Sequence, residues 1–313
     1  LGWHKTVQTV IIMNNTKKLT MPIAQPLSGK VGVSFEFFPP NTKQMEQTLW
    51  QSIDRLAPLS PDFMSVTYGA GGSTRDRTHN IISQIQNKKG ISTAAHLTCV
   101  AASKSEVNAV ARNYWSEGIR HIVALRGDPI KDKTIYETEI NGYTYAADLV
   151  VALKRIANFD ITVAAYPEVH PEAQSAKADL DNLKRKIDAG ASRAITQFYF
   201  EAETYLRFRD RAVAAGINVP IIPGILPVTN YKQVLKFAKI CGAHVPGWMA
   251  DLFAGLNDDP ATRRLVAATV VAEHCRVLQS EGINKFHFYT LNRSDLVYAI
   301  CHILGIRSAN IDA

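Results

Sequence analysis

The 313-residue sequence lacks most of the features that mark membrane-bound, disulfide-rich and nucleic-acid-binding proteins. It has no apolar run close to the ~20 residues that span a membrane. Its four cysteines stand far apart and show no CxxC or Cys/His spacing, so we expect free thiols, no metal site and a reducing cytoplasm. The net charge of +7 is not gathered into Lys/Arg blocks interleaved with aromatic residues, which argues against nucleic-acid binding.

The amino-terminal stretch also lacks the pattern of a secretory signal peptide. Residues 10–13 form one short apolar patch, and no small-residue cleavage site follows it. The composition, 46% apolar and 20% charged, is typical of a soluble globular protein with a sizeable core. We therefore expect residues 1–29 to be a loosely ordered extension and residues 30–313 to form a single domain.

Apolar strands alternate with amphipathic helical stretches from residue 31 to the end of the chain. The predicted strands are 31–38, 62–68, 92–99, 121–125, 161–166, 194–200, 220–225 and 285–289, and Pro223 bends the seventh. Extra helices, 231–241, 246–256 and 260–281, separate the last two strands. This alternation predicts an α/β fold, a closed (β/α)8 TIM-type barrel, and the absence of GxGxxG after the first strand argues against a dinucleotide-binding open sheet.

The segment SFEFFPP, residues 34–40, places a carboxylate inside an apolar strand. Side chains alternate between faces, so Glu36 shares a face with Ser34 while Phe35 and Phe37 point the other way. A buried carboxylate without a partner has a raised pKa and can act as an acid near neutral pH. The alternative is an ion-paired glutamate at a barrel rim.

If the face that carries Glu36 points into the barrel, the matching positions on the other strands can be read from the sequence. They are Ser65 and Thr67, Ala94 and His96, Ala124, Arg126 and Asp128, Ala164 and Tyr166, Ile195 and Gln197, and His287 and Tyr289. An ordinary barrel core carries Val, Ile or Leu near the strand ends, whereas these ends are polar or ionisable. The pattern favours a binding chamber for a large flat ligand.

Three other segments leave their roles open. Arg126, Gly127 and Asp128 could bind a phosphate and a ring N–H, or form a self-contained ion pair. The glycine-rich stretch 69–72 is a weak candidate for a phosphate site. On the helix predicted from Pro171 to residue 189, Asp179, Asn182 and Lys186 look like a solvated face, while His170 could be a helix cap, a phosphate donor or simply exposed.

Nine motifs, taken in order, resemble the bacterial methylenetetrahydrofolate reductases from about residue 32 to residue 307. They are SFEFFPP (34–40), VTYGA (66–70), AHLT (95–98), LRGD (125–128), AAYPEVHP (164–171), NLKRK (182–186), QFYF (197–200), PGILP (223–227) and FHFYTLNR (286–293). The resemblance implies a cytoplasmic FAD enzyme on a (β/α)8 barrel. In such enzymes NADH reduces FAD and leaves, and methylenetetrahydrofolate then takes the hydride to become 5-methyltetrahydrofolate, which supplies methyl groups for methionine synthesis.

The resemblance also implies roles for individual residues. Glu36 corresponds to the general acid that assists opening of the five-membered ring, and Asp128 to the carboxylate near flavin N1 and the pterin. The substrate-binding positions are Thr67, Gln197, Gln233, Tyr289 and Arg293. The FAD-binding positions are Tyr68, Ala70, His96, Arg126, Gly127, Asp128, Tyr145, Ala146, Tyr166, His170, Glu172, Asp179, Asn182, Arg185 and Lys186, which reverses the solvated-face interpretation of the last helix.

The sequence departs from the family at residues 71–74 and in the long loop 129–143, which weakens the alignment of Tyr145 and Ala146. Two rival functions stay open: another FAD barrel of the proline-dehydrogenase type, and a basic barrel that binds nucleic acid or acts as a scaffold. The expected partners are NADH and methylenetetrahydrofolate, with no nucleic acid and no membrane. The resemblance further implies a homo-oligomer, commonly a tetramer.

Overall fold

The computed structural model describes residues 30–68, 75–127, 141–228 and 230–308. The strands are β1 (Gly32–Phe37), β2 (Phe63–Val66), β3 (Thr93–Thr98), β4 (His121–Leu125), β5 (Asp160–Ala165), β6 (Arg193–Thr196), β7 (Ile221–Ile222), β8 (Gly224–Ile225) and β9 (Lys285–Tyr289). The helices are α1 (Lys43–Leu56), α2 (Arg75–Lys89), α3 (Lys104–Ser116), α4 (Ala146–Ile156), α5 (Ala176–Asp188), α6 (Ala202–Ala214), α7 (Tyr231–Cys241), α8 (Gly247–Phe253), α9 (Pro260–Ser280) and α10 (Ser294–Ile303). The predicted 1–29 extension lies outside the described residues.

The strands form one parallel sheet in the order β7-β6-β5-β4-β3-β2-β1-β9-β8. Pro223 alone separates β7, which pairs with β6, from β8, which pairs with β9. These two short strands are therefore the halves of one bent seventh strand, and together they close the ring. The predicted (β/α)8 barrel and the predicted bend at Pro223 are confirmed.

Gly224 allows this closure because the backbone of β6 passes directly over it. A Cβ atom at this position would lie 2.0 Å from the carbonyl oxygen of Thr196 and 2.7 Å from the ring of Tyr289. The Gly224 N–H also donates to the Thr196 hydroxyl at 2.9 Å. Only a residue without a side chain fits between the two strands.

The apolar core has two layers, one on each face of the sheet. The larger cluster lies between the sheet and the helices and includes Phe35 and Phe37, which confirms their outward face. A smaller cluster fills the inside of the barrel and consists of Phe63, Ala94, Val123, Ile195 and Ile222. Above these apolar residues the interior becomes polar toward the carboxyl ends of the strands, as expected for a barrel with a ligand chamber.

On β4 the predicted inward face is wrong. His96 pairs with Val123 and Leu97 with Ala124, so Val123 faces the interior while Ala124 packs in the outer core. The sequence HIVAL is apolar on both faces, and its pattern therefore did not fix which side points inward. Arg126 lies beyond the end of this strand, and its guanidinium contacts Glu172 in the loop after β5.

Helix boundaries follow local capping signals in most places. A serine followed three residues later by glutamate is a local signal for a capping box, and one is present at Ser103: its N–H donates to the Glu106 carboxylate at 2.8 Å, and its hydroxyl accepts from the Glu106 N–H at 3.3 Å. The predicted start of α5 at Pro171 is wrong. Ser175 caps this helix by accepting from the Ala178 N–H at 3.1 Å, which leaves residues 170–175 as a loop at the barrel mouth.

Candidate active site

Glu36 lies near the end of β1 between two buried imidazoles. Its Oε2 atom is 3.4 Å from Nε2 of His287 on β9 and 3.3 Å from Nε2 of His96 on β3. The carboxylate side chain is 19% exposed, whereas His287 is fully buried and His96 nearly so. Both imidazoles therefore contact the same carboxylate oxygen.

The two histidines reverse the expected ionisation of Glu36. Burial alone would raise the pKa of this carboxyl group, but the charge of His96, the hydrogen bond from His287 and the close approach of both imidazoles outweigh burial and lower the pKa to about 2. The prediction of a raised pKa is wrong for this arrangement, and the ion-paired alternative describes it better. His287 is 251 residues away in the sequence, so no local pattern revealed the pairing.

A second cluster, on the rim beside β4 and β5, begins with Arg126. Its guanidinium donates to both carboxylate oxygens of Glu172, at 2.5 and 3.1 Å. This hydrogen bond, opposed by partial burial, lowers the pKa of Glu172. The contact ties the end of β4 to the loop after β5. The alternative pair of Arg126 with Asp128 lies outside the described residues.

His170 stands beside this ion pair and has a defined tautomer. The backbone N–H of Glu172 donates to its Nδ1 at 3.0 Å, so the proton of the neutral ring lies on Nε2. Burial, followed by the charge of Arg126, lowers the pKa of His170 and favours that neutral form. The backbone N–H of His170 donates to Asp179 at 2.9 Å, and the ring stands edge-on to Tyr166 at 4.6 Å.

Lys186 on α5 is a buried amine at the end of β5. The residue is 7% exposed, and its Nζ donates to the Ala164 carbonyl at 2.5 Å. Burial lowers the pKa of the amine to about 8, and Asp179 opposes this effect while Arg185 adds to it. Lys186 is thus a buried cation, whose charge an anionic ligand would stabilise.

The rim cluster suits a phosphate-containing cofactor such as FAD. Arg126, Lys186 and the Nε2–H of His170 are the donors that a diphosphate requires. Gly127, next to Arg126, has a φ of +91°, and a Cβ atom there would lie 2.6 Å from Val100, so only glycine fits between the end of β4 and the chain that follows β3. On the outer part of α5, Asn182 accepts a hydrogen bond from Arg185 at 3.3 Å.

The remaining predicted site residues surround the mouth. Three of them are exposed residues at helix N-termini: Tyr145 before α4, Gln233 in the first turn of α7 and Arg293 before α10. Ala146 is buried at the start of α4, and Tyr68 packs into the outer core. Thr67 follows β2, where its N–H donates to the Phe37 carbonyl at 2.9 Å. Ala70 and Asp128 lie outside the described residues.

Tyr289 and Gln197 make intramolecular bonds near the seam of the barrel. The Tyr289 hydroxyl donates to the Thr196 carbonyl at 2.6 Å, and the Gln197 side chain accepts from the Phe198 N–H at 3.0 Å. The charge of Glu36 helps to raise the pKa of Tyr289, after burial, so the two groups act on each other. No local pattern pointed to Ser34 and His287 as neighbours of Glu36 in one hydrogen-bonded chain, although both positions were predicted on the inward face.

Two further clefts lie on the protein surface. One, of about 650 Å³, is lined by residues of α6, of the loop after β5 and of the loop after α7, including Glu168, Arg207 and His244. The other, of about 480 Å³, runs along the surface of α1. Their open, mixed-charge linings place no buried reactive group against a ligand. Within the described residues no group of His, Cys, Asp or Glu could hold a metal ion, and none of the helices described is long and apolar enough to span a membrane.

The chain is similar to known proteins over most of its length. Residues 22–305 match the family model described as methylenetetrahydrofolate reductase. The chain is 59% identical over 281 residues to the 5,10-methylenetetrahydrofolate reductase of Escherichia coli (strain K12), covering 90% of this chain and 93% of that protein. It is 35% identical over 289 residues to an Arabidopsis thaliana protein named methylenetetrahydrofolate reductase (NADH) 1, covering 89% of this chain and 49% of that protein.

Among solved structures, the fold resembles an uncharacterized protein from Clostridium thermocellum, described as binding two copies of 5-methyl-5,6,7,8-tetrahydrofolic acid. The TM-score is 0.58 at 16% sequence identity, and the alignment covers 91% of this chain and 97% of that one. At this identity the likeness concerns the fold.

Proposed function

Because the chain belongs to the methylenetetrahydrofolate reductase family, we propose that it reduces 5,10-methylenetetrahydrofolate to 5-methyltetrahydrofolate with FAD as hydride carrier and NADH as hydride donor. The observation that supports this most directly is the position of Glu36, a carboxylate bound by two imidazoles at the mouth of a barrel. The product would serve as a methyl donor for methionine synthesis.

The rim cluster supports FAD as the cofactor. FAD would supply a two-electron hydride carrier, so that NADH and the folate can use the mouth in turn. Arg126 and Lys186 would neutralise its diphosphate, and the Nε2–H of His170 would donate to a phosphate oxygen. The choice of NADH is supported by the name of the Arabidopsis relative.

Glu36 supports the acid step of this reaction. Opening of the five-membered ring of the substrate requires a proton at nitrogen N10, and a carboxyl group at the mouth can supply it. Since the pKa of Glu36 is lowered to about 2, the residue is a carboxylate at neutral pH in the unliganded protein. Its two imidazole neighbours lie close enough to supply the proton.

Folate recognition is proposed for the exposed side of the mouth. Gln197 and Gln233 carry amides that can pair with the donor and acceptor edge of a pterin, and Arg293 carries a guanidinium for the carboxylates of the glutamate tail. Thr67 is proposed for the nicotinamide side. Asp128 keeps its proposed role beside flavin N1, where a carboxylate would disfavour the anionic reduced flavin.

A spectroscopic experiment tests the proposal. Purified protein should show a flavin absorption spectrum that bleaches when NADH is added without oxygen. Addition of 5,10-methylenetetrahydrofolate should then restore the oxidised spectrum. A colourless protein that does not bind added FAD contradicts the cofactor assignment. A flavin that proline reduces, and methylenetetrahydrofolate does not reoxidise, supports the rival proline-dehydrogenase function instead.

A further inference from the structure

His287 connects Glu36 to a second residue inside the barrel. Its Nε2 faces Oε2 of Glu36 at 3.4 Å, and its Nδ1 is 2.7 Å from the hydroxyl oxygen of Ser34. All three side chains lie on the inner faces of neighbouring strands, because β1 and β9 pair with Ser34 opposite His287. The imidazole is fully buried and stacks on the ring of Phe63 at a centroid distance of 5.7 Å.

We propose that His287, anchored by Ser34, is a positioning residue that holds Oε2 of Glu36, directs Oε1 toward the substrate and supplies the proton that Glu36 delivers. The proposal rests on the proposed function for the identity of the proton acceptor. It deepens that function by naming a residue that acts through Glu36 without touching a ligand.

The two carboxylate oxygens of Glu36 have different surroundings. Oε2 contacts His287 and His96, and no hydrogen bond or ion pair from the described part of the chain reaches Oε1. The backbone of Glu36 is also fixed, since its carbonyl accepts from the Thr290 hydroxyl at 2.6 Å and from the Thr290 N–H at 3.2 Å. With the backbone held, the contact at Oε2 decides where Oε1 points.

The two histidines are not equivalent. Nε2 of His96 lies at ion-pair distance from Glu36 but has no aligned hydrogen bond within the described residues. Nε2 of His287 makes the aligned contact, and its other nitrogen is bound by Ser34. Because His287 has no exposed surface, it acts on a ligand through the side chains that it contacts, Glu36 by a hydrogen bond and Tyr289 by an edge-on ring contact at 5.4 Å.

One proton can pass along the triad of Ser34, His287 and Glu36 to the substrate. In its protonated form the ring of His287 donates from Nδ1–H to the Ser34 oxygen and from Nε2–H to Oε2. When the Nε2 proton moves to the Glu36 carboxylate, the ring becomes neutral and Nδ1–H still donates to Ser34. The carboxylic acid then gives its proton to N10 of the substrate, and solvent returns one proton to the triad after product release.

Other ionisable groups face this carboxylate and must be separated from His287 in any test. His96 approaches from β3 and Tyr289 from β9. Tyr166, after β5, helps to raise the pKa of Tyr289. His121 on β4 lies farther down the barrel, with the ring of Phe63 in contact with both it and His287. The test therefore compares variants that change only one of these groups.

The experiment uses Ser34→Ala, His287→Gln and a matched control, Thr162→Val. Thr162 also bonds a buried imidazole of the barrel, His121, at 2.7 Å, but touches no atom of Glu36. The carboxyl titration of Glu36 is followed in the unliganded protein by 13C NMR, with Glu36→Gln identifying its signal. Between pH 7 and 4 the wild-type and Thr162→Val signals should stay those of a carboxylate, whereas those of Ser34→Ala and His287→Gln should move toward the acid.

The second readout separates the two half-reactions. Reduction of the bound flavin by NADH should stay within about 3-fold of wild type in Ser34→Ala and His287→Gln, while folate reduction should fall by about 10²-fold with an altered pH profile. If His287→Gln does not fold, Ser34→Ala, which keeps the ring, decides the outcome. Unchanged Glu36 titration and unchanged folate reduction in the folded variant overturn the proposal. If wild type does not reduce folate, the proposed function fails, and the NMR titration still tests the positioning.

Discussion

The side-chain amide of Asn292 binds both polar groups of the Phe38 backbone. The N–H of Phe38 donates to Oδ1 at 3.0 Å, and Nδ2 donates to the Phe38 carbonyl at 2.8 Å. The amide thus replaces a rung of the sheet just beyond the last β1–β9 pair, Glu36 and Tyr289. Asn292 thereby fixes the end of the strand that carries Glu36 against the loop that carries Arg293.

We expect Asn292→Ala to destabilise the protein and to slow folate reduction more than flavin reduction by NADH. Two backbone groups at Phe38 lose their partners, each at a cost of about 1–3 kcal/mol. Urea unfolding and the two half-reaction rates measure the effects. Asn141→Ala is the control, because that exposed residue also has a positive φ, +68° against +56°. Equal losses of stability in both variants would assign the effect to backbone strain alone.

Glu36→Gln should keep FAD and its reduction by NADH but lose folate reduction. Glutamine retains the shape of the side chain and cannot transfer a proton, and general acid catalysis contributes about 10²–10⁴-fold to a rate. Anaerobic stopped-flow spectroscopy of each half-reaction measures both steps. Folate reduction at nearly the wild-type rate would show that another group is the acid.

Lys186→Met should stabilise the flavin-free protein and weaken flavin binding. Burial lowers the pKa of Lys186 to about 8. The unfolded chain therefore binds this proton more tightly than the folded chain, and wild-type stability should rise between pH 8 and 10.5 by up to about 3 kcal/mol. Urea unfolding at pH 7 and 9.5 should show this rise in wild type and lose it in Lys186→Met.

The control for this variant is Lys184→Met, on the same helix. Lys184 pairs with Asp188 one turn away and is partly exposed. Its replacement should leave the pH dependence and the flavin dissociation constant close to wild type. An equal loss of flavin affinity in both variants would contradict a specific role for Lys186.

His274 should make the protein less stable in mild acid. Its Nε2 is buried without a hydrogen-bond partner in the described chain, and burial lowers its pKa to about 4. The unfolded ring takes up a proton near pH 6.5, so stability should be lost as the pH falls from 6.5 toward 4. In urea unfolding, His274→Phe should flatten this dependence of stability on pH. The control Tyr199→Phe changes a ring 5.2 Å from the His274 ring but leaves the imidazole in place, and it should retain the dependence. Parallel slopes in wild type and His274→Phe would exclude His274 as the cause.

Features that depend on neighbouring residues in the sequence could be predicted. The alternation of strands and helices, the bend at Pro223, the capping box at Ser103 and the separation of Glu36 from the face of Phe35 and Phe37 all follow from local patterns. Each reflects a preference of a few consecutive residues, such as the side-chain period of a strand or the missing N–H of proline.

Features that depend on the pairing of residues across the barrel could not be predicted from the sequence. The inward face of β4 was missed because its apolar side chains suit either face, and only its register with β3 decides between them. The lowered pKa of Glu36 and the Arg126–Glu172 ion pair each join residues from different strand–loop units. The start of α5 was misplaced because Pro171 also suits a turn, and Ser175 caps the helix instead.

The position of the His287 imidazole also depends on a hydrogen bond of the His287 backbone. Its N–H donates to the carbonyl of Pro223, between β7 and β8, at 2.9 Å. The residue that bonds Glu36 therefore also helps to join β9 to the bent seventh strand and so to close the barrel. Loosening of that seam would carry the imidazole away from the carboxylate. The rate at which the His287 amide proton exchanges with solvent deuterium therefore reports how often the imidazole leaves its position beside Glu36.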